Sequence, residues 1–185
     1  MTGAGLLIVP GLRDEAPDHW QTLLAQRLPN VARVAPMGRV NVDLRIRLDA
    51  IEAAAQAIDG PLILVAHSAG CIMAAHWARR TKRLVHGALL AAPPDIDTAM
   101  PEGYPTIEAL RSAGWFPVPR APLPFATIVA ASRNDPLARF ERVAGLAQDW
   151  GARLVDLGDV GHLNPASGFG HWPRAEEFVR ELQAA

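Results

Sequence analysis

Apolar residues along this chain alternate between two patterns. One is a short unbroken run: Leu6-Leu7-Ile8-Val9, stopped by Pro10-Gly11, then Leu62-Ile63-Leu64-Val65-Ala66; residues 84–91, 125–131 and 153–157 give further strand candidates, each interrupted by a polar residue. Unbroken runs of this length suit strands buried on both faces, as parallel strands are. Residues 31–35 give a weaker sixth candidate. The other pattern is helical spacing. Trp20, Leu23, Leu24, Arg27 and Leu28 predict a helix over 18–28, and Leu48, Ile51, Ala55 and Ile58 predict one over 44–58, closed by Asp59-Gly60-Pro61. Residues 69–80 are apolar on nearly every face until Arg79-Arg80, so that helix should lie buried. Further helices are predicted over 137–150 and 173–182, with Pro173 suited to a first helical position. Strand and helix in alternation predict an α/β fold: one domain, with a doubly wound sheet of about six parallel strands flanked by helices.

One stretch breaks the rhythm. Residues 92–124 carry Pro93, Pro94, Pro101, Pro105, Pro117, Pro119, Pro122 and Pro124. They are too few for a second domain and predict a rim or minimal cap with one short helix near 106–113. The length of 185 residues agrees with a single domain.

Composition removes several classes. A formal net charge of -1 leaves no basic field for nucleic acid or an anionic membrane. The single cysteine, Cys71, excludes an internal disulfide framework and a multi-cysteine metal site. No apolar stretch approaches the ~18 residues of a membrane span. The start, Met1-Thr2-Gly3-Ala4-Gly5, lacks a cationic leader region, so a cytoplasmic protein is expected. A monomer or small homo-oligomer is expected with it.

The most informative residues are Ala66-His67-Ser68-Ala69-Gly70, where the clearest strand turns into the most apolar helix. A nucleophile elbow needs this context, because the turn is sharp and strains the serine's backbone. Small residues two before and two after the serine let strand and helix approach. The usual first glycine is Ala66 here. A plain helix N-cap is the competing account of Ser68.

A serine nucleophile needs a base, and the base needs a group to fix its tautomer. In α/β-hydrolases the chain order is serine, acid, histidine. After Ser68, the strand over 125–131 leads into Ser132-Arg133-Asn134-Asp135-Pro136, and the last strand leads into Asp159-Val160-Gly161-His162-Leu163-Asn164. Asp135 and His162 then lie on loops at the same sheet edge as Ser68. Asp135 could instead start a turn or cap a helix. Asp156 and Asp159 are rival acids, placed awkwardly close before His162. His171 suits a cap or the surface, His76 and His86 suit the core, and the His67 side chain should point away from the nucleophile. His19 is expected to line the site. One oxyanion-hole amide should be Ala69; the other comes from the loop Pro10-Gly11-Leu12-Arg13, with Leu12 favoured and Gly11 allowing the turn.

These segments, together with Asp18-His19-Trp20 and Gly168-Phe169-Gly170-His171-Trp172-Pro173, resemble the small serine hydrolases of the retinoblastoma-binding protein 9 and YdeN type over nearly the whole chain. The resemblance implies a compact α/β-hydrolase with little or no lid and a triad of Ser68, Asp135 and His162. A retinoblastoma-type partner is not carried over, since Cys71 is followed by Ile72-Met73 rather than a Leu-x-Cys-x-Glu motif.

The expected activity is cleavage of a small ester through an acyl-enzyme, without cofactor. The sequence has no His-Glu-x-x-His, no Walker A loop and no Gly-x-Gly-x-x-Gly opening a helix. Amide or aminopeptidase-like cleavage is the nearest alternative; a non-catalytic binding protein on the same fold is the alternative of another class. A small ester or peptide-like substrate would be walled by residues drawn from Met100, Tyr104, Trp115, Phe116, Leu137, Phe169 and Trp172, with packing the simpler role for Trp115 and Phe116. Leu137 and Trp172, with Gly11 and His19, are the expected substrate contacts.

Overall fold

The computed structural model describes residues 3–185. Its strands are β1 (Gly5–Val9), β2 (Val31–Arg33), β3 (Leu62–His67), β4 (Val85–Ala91), β5 (Ala126–Ala131) and β6 (Arg153–Asp156). They form one six-stranded sheet in the order β2-β1-β3-β4-β5-β6, and every pairing is parallel. Its α-helices are α1 (Trp20–Arg27), α2 (Leu44–Gln56), α3 (Ala69–Ala78), α4 (Ile107–Ser112), α5 (Phe140–Asp149) and α6 (Pro173–Ala184).

The unbroken apolar runs resolve into two interleaved sets, because successive strand residues face opposite sides of a sheet. Leu7, Val9, Leu64 and Ala66 join one core with Ile51 of α2, Ile72 of α3 and Leu146 of α5. Leu6, Ile8, Ile63 and Val65 join the other with Trp20 of α1 and Phe178 and Leu182 of α6. Helices therefore cover both faces. Strand order reverses direction at β1, so the crevice beyond the carboxyl ends of β1 and β3 is the switch point where open α/β sheets place ligands. Gln21 ties these two strands together: its Nε2 donates to Val9 O at 3.1 Å and to Val65 O at 3.0 Å.

The Pro-rich segment forms a rim packed on the sheet. Ile96, Leu110, Trp115 and Val118 enter the first core, and Trp115 Nε1 donates to Val42 O at 2.7 Å. Each such side chain contributes about 1.5–3 kcal/mol on burial. The start of α5 differs from the expected 137. Leu137 N donates to Asp135 Oδ1 at 2.8 Å, and Leu137 O accepts from Asp95 N at 3.0 Å. That turn holds residues 135–139 out of the helix until Phe140.

Candidate active site

Ser68 stands between β3 and α3 with φ 56° and ψ −134°. A non-glycine residue there costs about 1–3 kcal/mol and persists only where its surroundings enforce it. They do so on three sides. Ser68 N donates to Ala91 O at 2.9 Å. A Cβ on Gly70 would lie 2.5 Å from Val9 O and 2.8 Å from Pro10 O, and one on Gly11 would lie 2.8 Å from Ser68 Cβ. The small residues read from the sequence are thus contact requirements between β1, its following loop and the elbow.

The three residues far apart in sequence come together. Ser68 Oγ lies 2.8 Å from His162 Nε2. His162 Nδ1 lies 2.8 Å from Asp135 Oδ2 and 3.0 Å from Oδ1. Nδ1–H donates to the carboxylate, which leaves Nε2 free to accept from the hydroxyl. The Asp135 side chain is buried, so the pair is shielded from water.

Side chains not singled out from the sequence hold the His162 loop. Asn134 Oδ1 accepts from Gly161 N at 2.6 Å, and Ser132 Oγ accepts from Val160 N at 3.3 Å. His162 N donates to Ser167 Oγ at 3.1 Å, and Ser167 Oγ donates to Asn164 Oδ1 at 2.8 Å. Ser132 and Asn134 stand in the same short motif as Asp135. That is the one sequence signal that could have marked them.

His67 corrects an expectation. Its ring does not simply leave the site: Nε2–H donates to His162 O at 2.8 Å, and the two ring centroids are 4.9 Å apart. With Nε2 protonated, the neutral ring leaves Nδ1 as a buried acceptor without a partner. His19 faces it, ring centroids 4.9 Å apart. His19 Nδ1 accepts from Gln21 N at 3.2 Å, so the neutral ring carries its proton on Nε2, a buried donor without a partner. Burial, with Arg13 and His162 nearby, lowers the His19 pKa to about 3, and burial also pushes His67 well below its usual value. Both rings are neutral, and their two free atoms are complementary.

Trp172 is also corrected. It is buried against Trp20, with centroids 5.0 Å apart, and near Phe178 at 6.1 Å, inside the second core rather than on the cavity wall. Phe169 packs on the same core. His171 is half exposed, 3.8 Å from Glu176. Asp156 pairs with Arg133 at 2.5 Å and Asp159 is exposed, so neither approaches His162. Cys71 is buried, and burial raises its thiol pKa, which disfavours the thiolate.

Two cavities meet at Ser68. A narrow slot of about 10 Å³ is lined by Leu12, Ala69, Ile96, Met100, Leu110, Trp115 and Leu137. A chamber of about 210 Å³ is lined by Gly11, Arg13, His19, Arg39, His67, His162 and Asn164. Leu12, Ser68 and Tyr104 border both. Among the described residues no cluster of three His, Cys, Asp or Glu side chains could hold a metal ion.

A parallel α/β sheet with a strained serine elbow beside a histidine–carboxylate pair defines an α/β-hydrolase. The serine hydrolase family model matches residues 6–181, and the chain belongs to that family. Solved structures agree. A YdeN-like hydrolase from Pectobacterium atrosepticum superposes with a TM-score of 0.81 at 29% identity, over 98% of this chain and 91% of that one. The ydeN product of Bacillus subtilis gives 0.74 at 19% identity over 98% and 100%. An α/β superfamily hydrolase of Xanthomonas campestris gives 0.62 at 21% over the full length of both. The last two speak for the fold alone. Among curated proteins, no sequence matches the chain.

Proposed function

We propose that this serine hydrolase cleaves small carboxylic esters through a triad of Ser68, His162 and Asp135. The observation that carries the reading is the unbroken Ser68 Oγ–His162 Nε2–Asp135 chain, at 2.8 Å for each of its two closest contacts, on a backbone strained to φ 56°. His162 takes the Ser68 proton as Oγ attacks the carbonyl carbon, and an acyl-enzyme forms as the alcohol leaves with that proton. His162 then activates water, which releases the acid. Asp135 orients the imidazole and stabilises its charged form without taking the proton.

Developing charge on the carbonyl oxygen is met by the amides of Ala69 and Leu12. Neither N–H donates to an acceptor among the described residues, while the adjacent Arg13 N is tied to Gly11 O at 3.0 Å. Gly11, His19 and Leu137 border the substrate cavity. We place the enzyme in the cytoplasm, working as a monomer or small homo-oligomer on a small-molecule substrate. No helix among the described residues is long and apolar enough to cross a membrane.

Fluorophosphonate labelling with peptide mass spectrometry is the test. A single adduct on Ser68, absent in Ser68→Ala, is expected, with esterase turnover lowered on the order of 10⁶-fold in that variant. Folded protein that gains no adduct on Ser68 would overturn the reading.

A further inference from the structure

The two cavities that meet at Ser68 are chemically unlike. The slot is apolar apart from Ser68 and Tyr104, whereas the chamber is lined by two arginines and no acid. Neither Arg13 nor Arg39 forms a salt bridge among the described residues; Glu15, the acid that attracts Arg13, is exposed and bridges Arg33 at 3.6 Å. Arg39 is held in place: Nε donates to Leu12 O at 3.0 Å, Nη1 to Gly103 O at 3.1 Å, and the group lies 4.0 Å over the Tyr104 ring. Arg13 Nη1 donates to Asp14 O at 3.0 Å, and its Nε is buried without a partner. A guanidinium stays charged in such surroundings, so half-buried Arg13 and exposed Arg39 can both draw an anion towards the chamber. His19 and His67 are neutral, so the chamber's positive charge comes from the arginines.

The position of the base says which part of a substrate enters which cavity. His162 borders the chamber and not the slot. The base that takes the nucleophile's proton returns it to the leaving atom, so the leaving group lies on the His162 side.

We infer that the preferred substrates carry an anionic oxygen group, carboxylate or phosphate, on the leaving group, held by Arg13 and Arg39 in the chamber while a small apolar acyl group lies on the slot side. This rests on the triad reading above. Ser68 Oγ bonds to the acyl carbon, the bond from that carbon to the leaving oxygen breaks, and His162 delivers the Ser68 proton to that oxygen. The departing alcohol keeps its anionic group. Water then cleaves the acyl–Oγ bond, giving the free acid and restoring Ser68.

Matched esters test this. O-butyryl glycolate is compared with its neutral amide, O-butyryl glycolamide, and O-butyryl 2-hydroxyethyl phosphate with the butyryl ester of 2-methoxyethanol; the two pairs separate carboxylate from phosphate. The charged member of at least one pair should show kcat/KM about 10–100-fold higher, the range of charge-assisted hydrogen bonds. In Arg13→Gln and Arg39→Gln that ratio should fall towards one. Damage to the elbow or the Leu12 loop would lower both members together and leave the ratio alone. A ratio at or below one in wild-type enzyme whose Ser68 takes the fluorophosphonate would overturn the inference and spare the triad. So would an unchanged ratio in both variants. Monomethyl succinate against methyl succinamate places the charge on the acyl side, and an arginine-dependent preference confined to that pair would overturn the assignment of cavities. Absence of any Ser68 adduct would remove the triad reading itself.

Discussion

At the scale of single residues, the site is a problem of close approach. Gly70 lies where β1 meets the first turn of α3, and a Cβ there would sit 2.5 Å from Val9 O, a backbone atom that cannot swing aside. Gly70→Ala should therefore destabilise the protein by about 1–3 kcal/mol, the usual range for overpacking, and lower labelling of Ser68. Urea denaturation followed by Trp fluorescence measures the first effect, and fluorophosphonate incorporation the second. By contrast a Cβ on Gly145, in α5, meets nothing within 4 Å. Gly145→Ala should be neutral or slightly stabilising, which makes it the control for glycine replacement itself.

At the scale of elements, Gln21 joins α1 to the two strands that frame the switch point. Replacing it by Leu removes both hydrogen bonds, at about 0.5–1.5 kcal/mol each, partly offset by loss of its own unpartnered Oε1. Equilibrium unfolding should show that loss. Elements were also the most legible level of the sequence. The strands β1 and β3 announced themselves because burial on both faces leaves no polar position in Leu6 to Val9 or Leu62 to Ala66, and Ala66 to Gly70 could be placed because strand, turn and helix had to follow one another. Legibility failed where distance in sequence was decisive. Trp172 stands near His162 in sequence, yet as the N-cap of α6 it packs against Trp20 in the second core and borders neither cavity. Arg13 and Arg39 belong to two loops whose meeting at one cavity leaves no local pattern. The late start of α5 depends on Asp95, some forty residues before it in the chain.

At the scale of the whole molecule, the buried histidines link stability to pH. In the unfolded chain His19 and His67 take up protons near the ordinary value of 6.5, whereas burial holds the folded His19 value at about 3 and the folded His67 value well below 6.5. The unfolded state thus binds more protons as pH falls below 6.5, and stability drops in that direction. Each ring contributes a slope of up to about 1.4 kcal/mol per pH unit. For His19 the slope ends near pH 3, where the folded ring also protonates. Urea unfolding at a series of pH values between 7 and 4 should show the decline, and His19→Asn should flatten it. A decline of equal slope in that variant would assign the effect to other groups.

The rim has a consequence of another kind. The chain leaves the sheet at β4 and returns at β5, a neighbouring strand, and both departures are tied down. Ala92 N donates to Ala130 O at 2.9 Å, and Leu123 N donates to Trp150 O at 3.0 Å. Between these anchors Pro94, Ile96, Met100, Tyr104, Leu110 and Trp115 wall the slot, and none of the three reacting groups lies there. A different loop spliced between the same two anchors would inherit the nucleophile and base, and would keep the acid's turn where it also supplies an amide to Leu137 O, as Asp95 N does here. Descent with new rims that keep this one contact is thus an economical route by which one ancestral hydrolase can yield many selectivities.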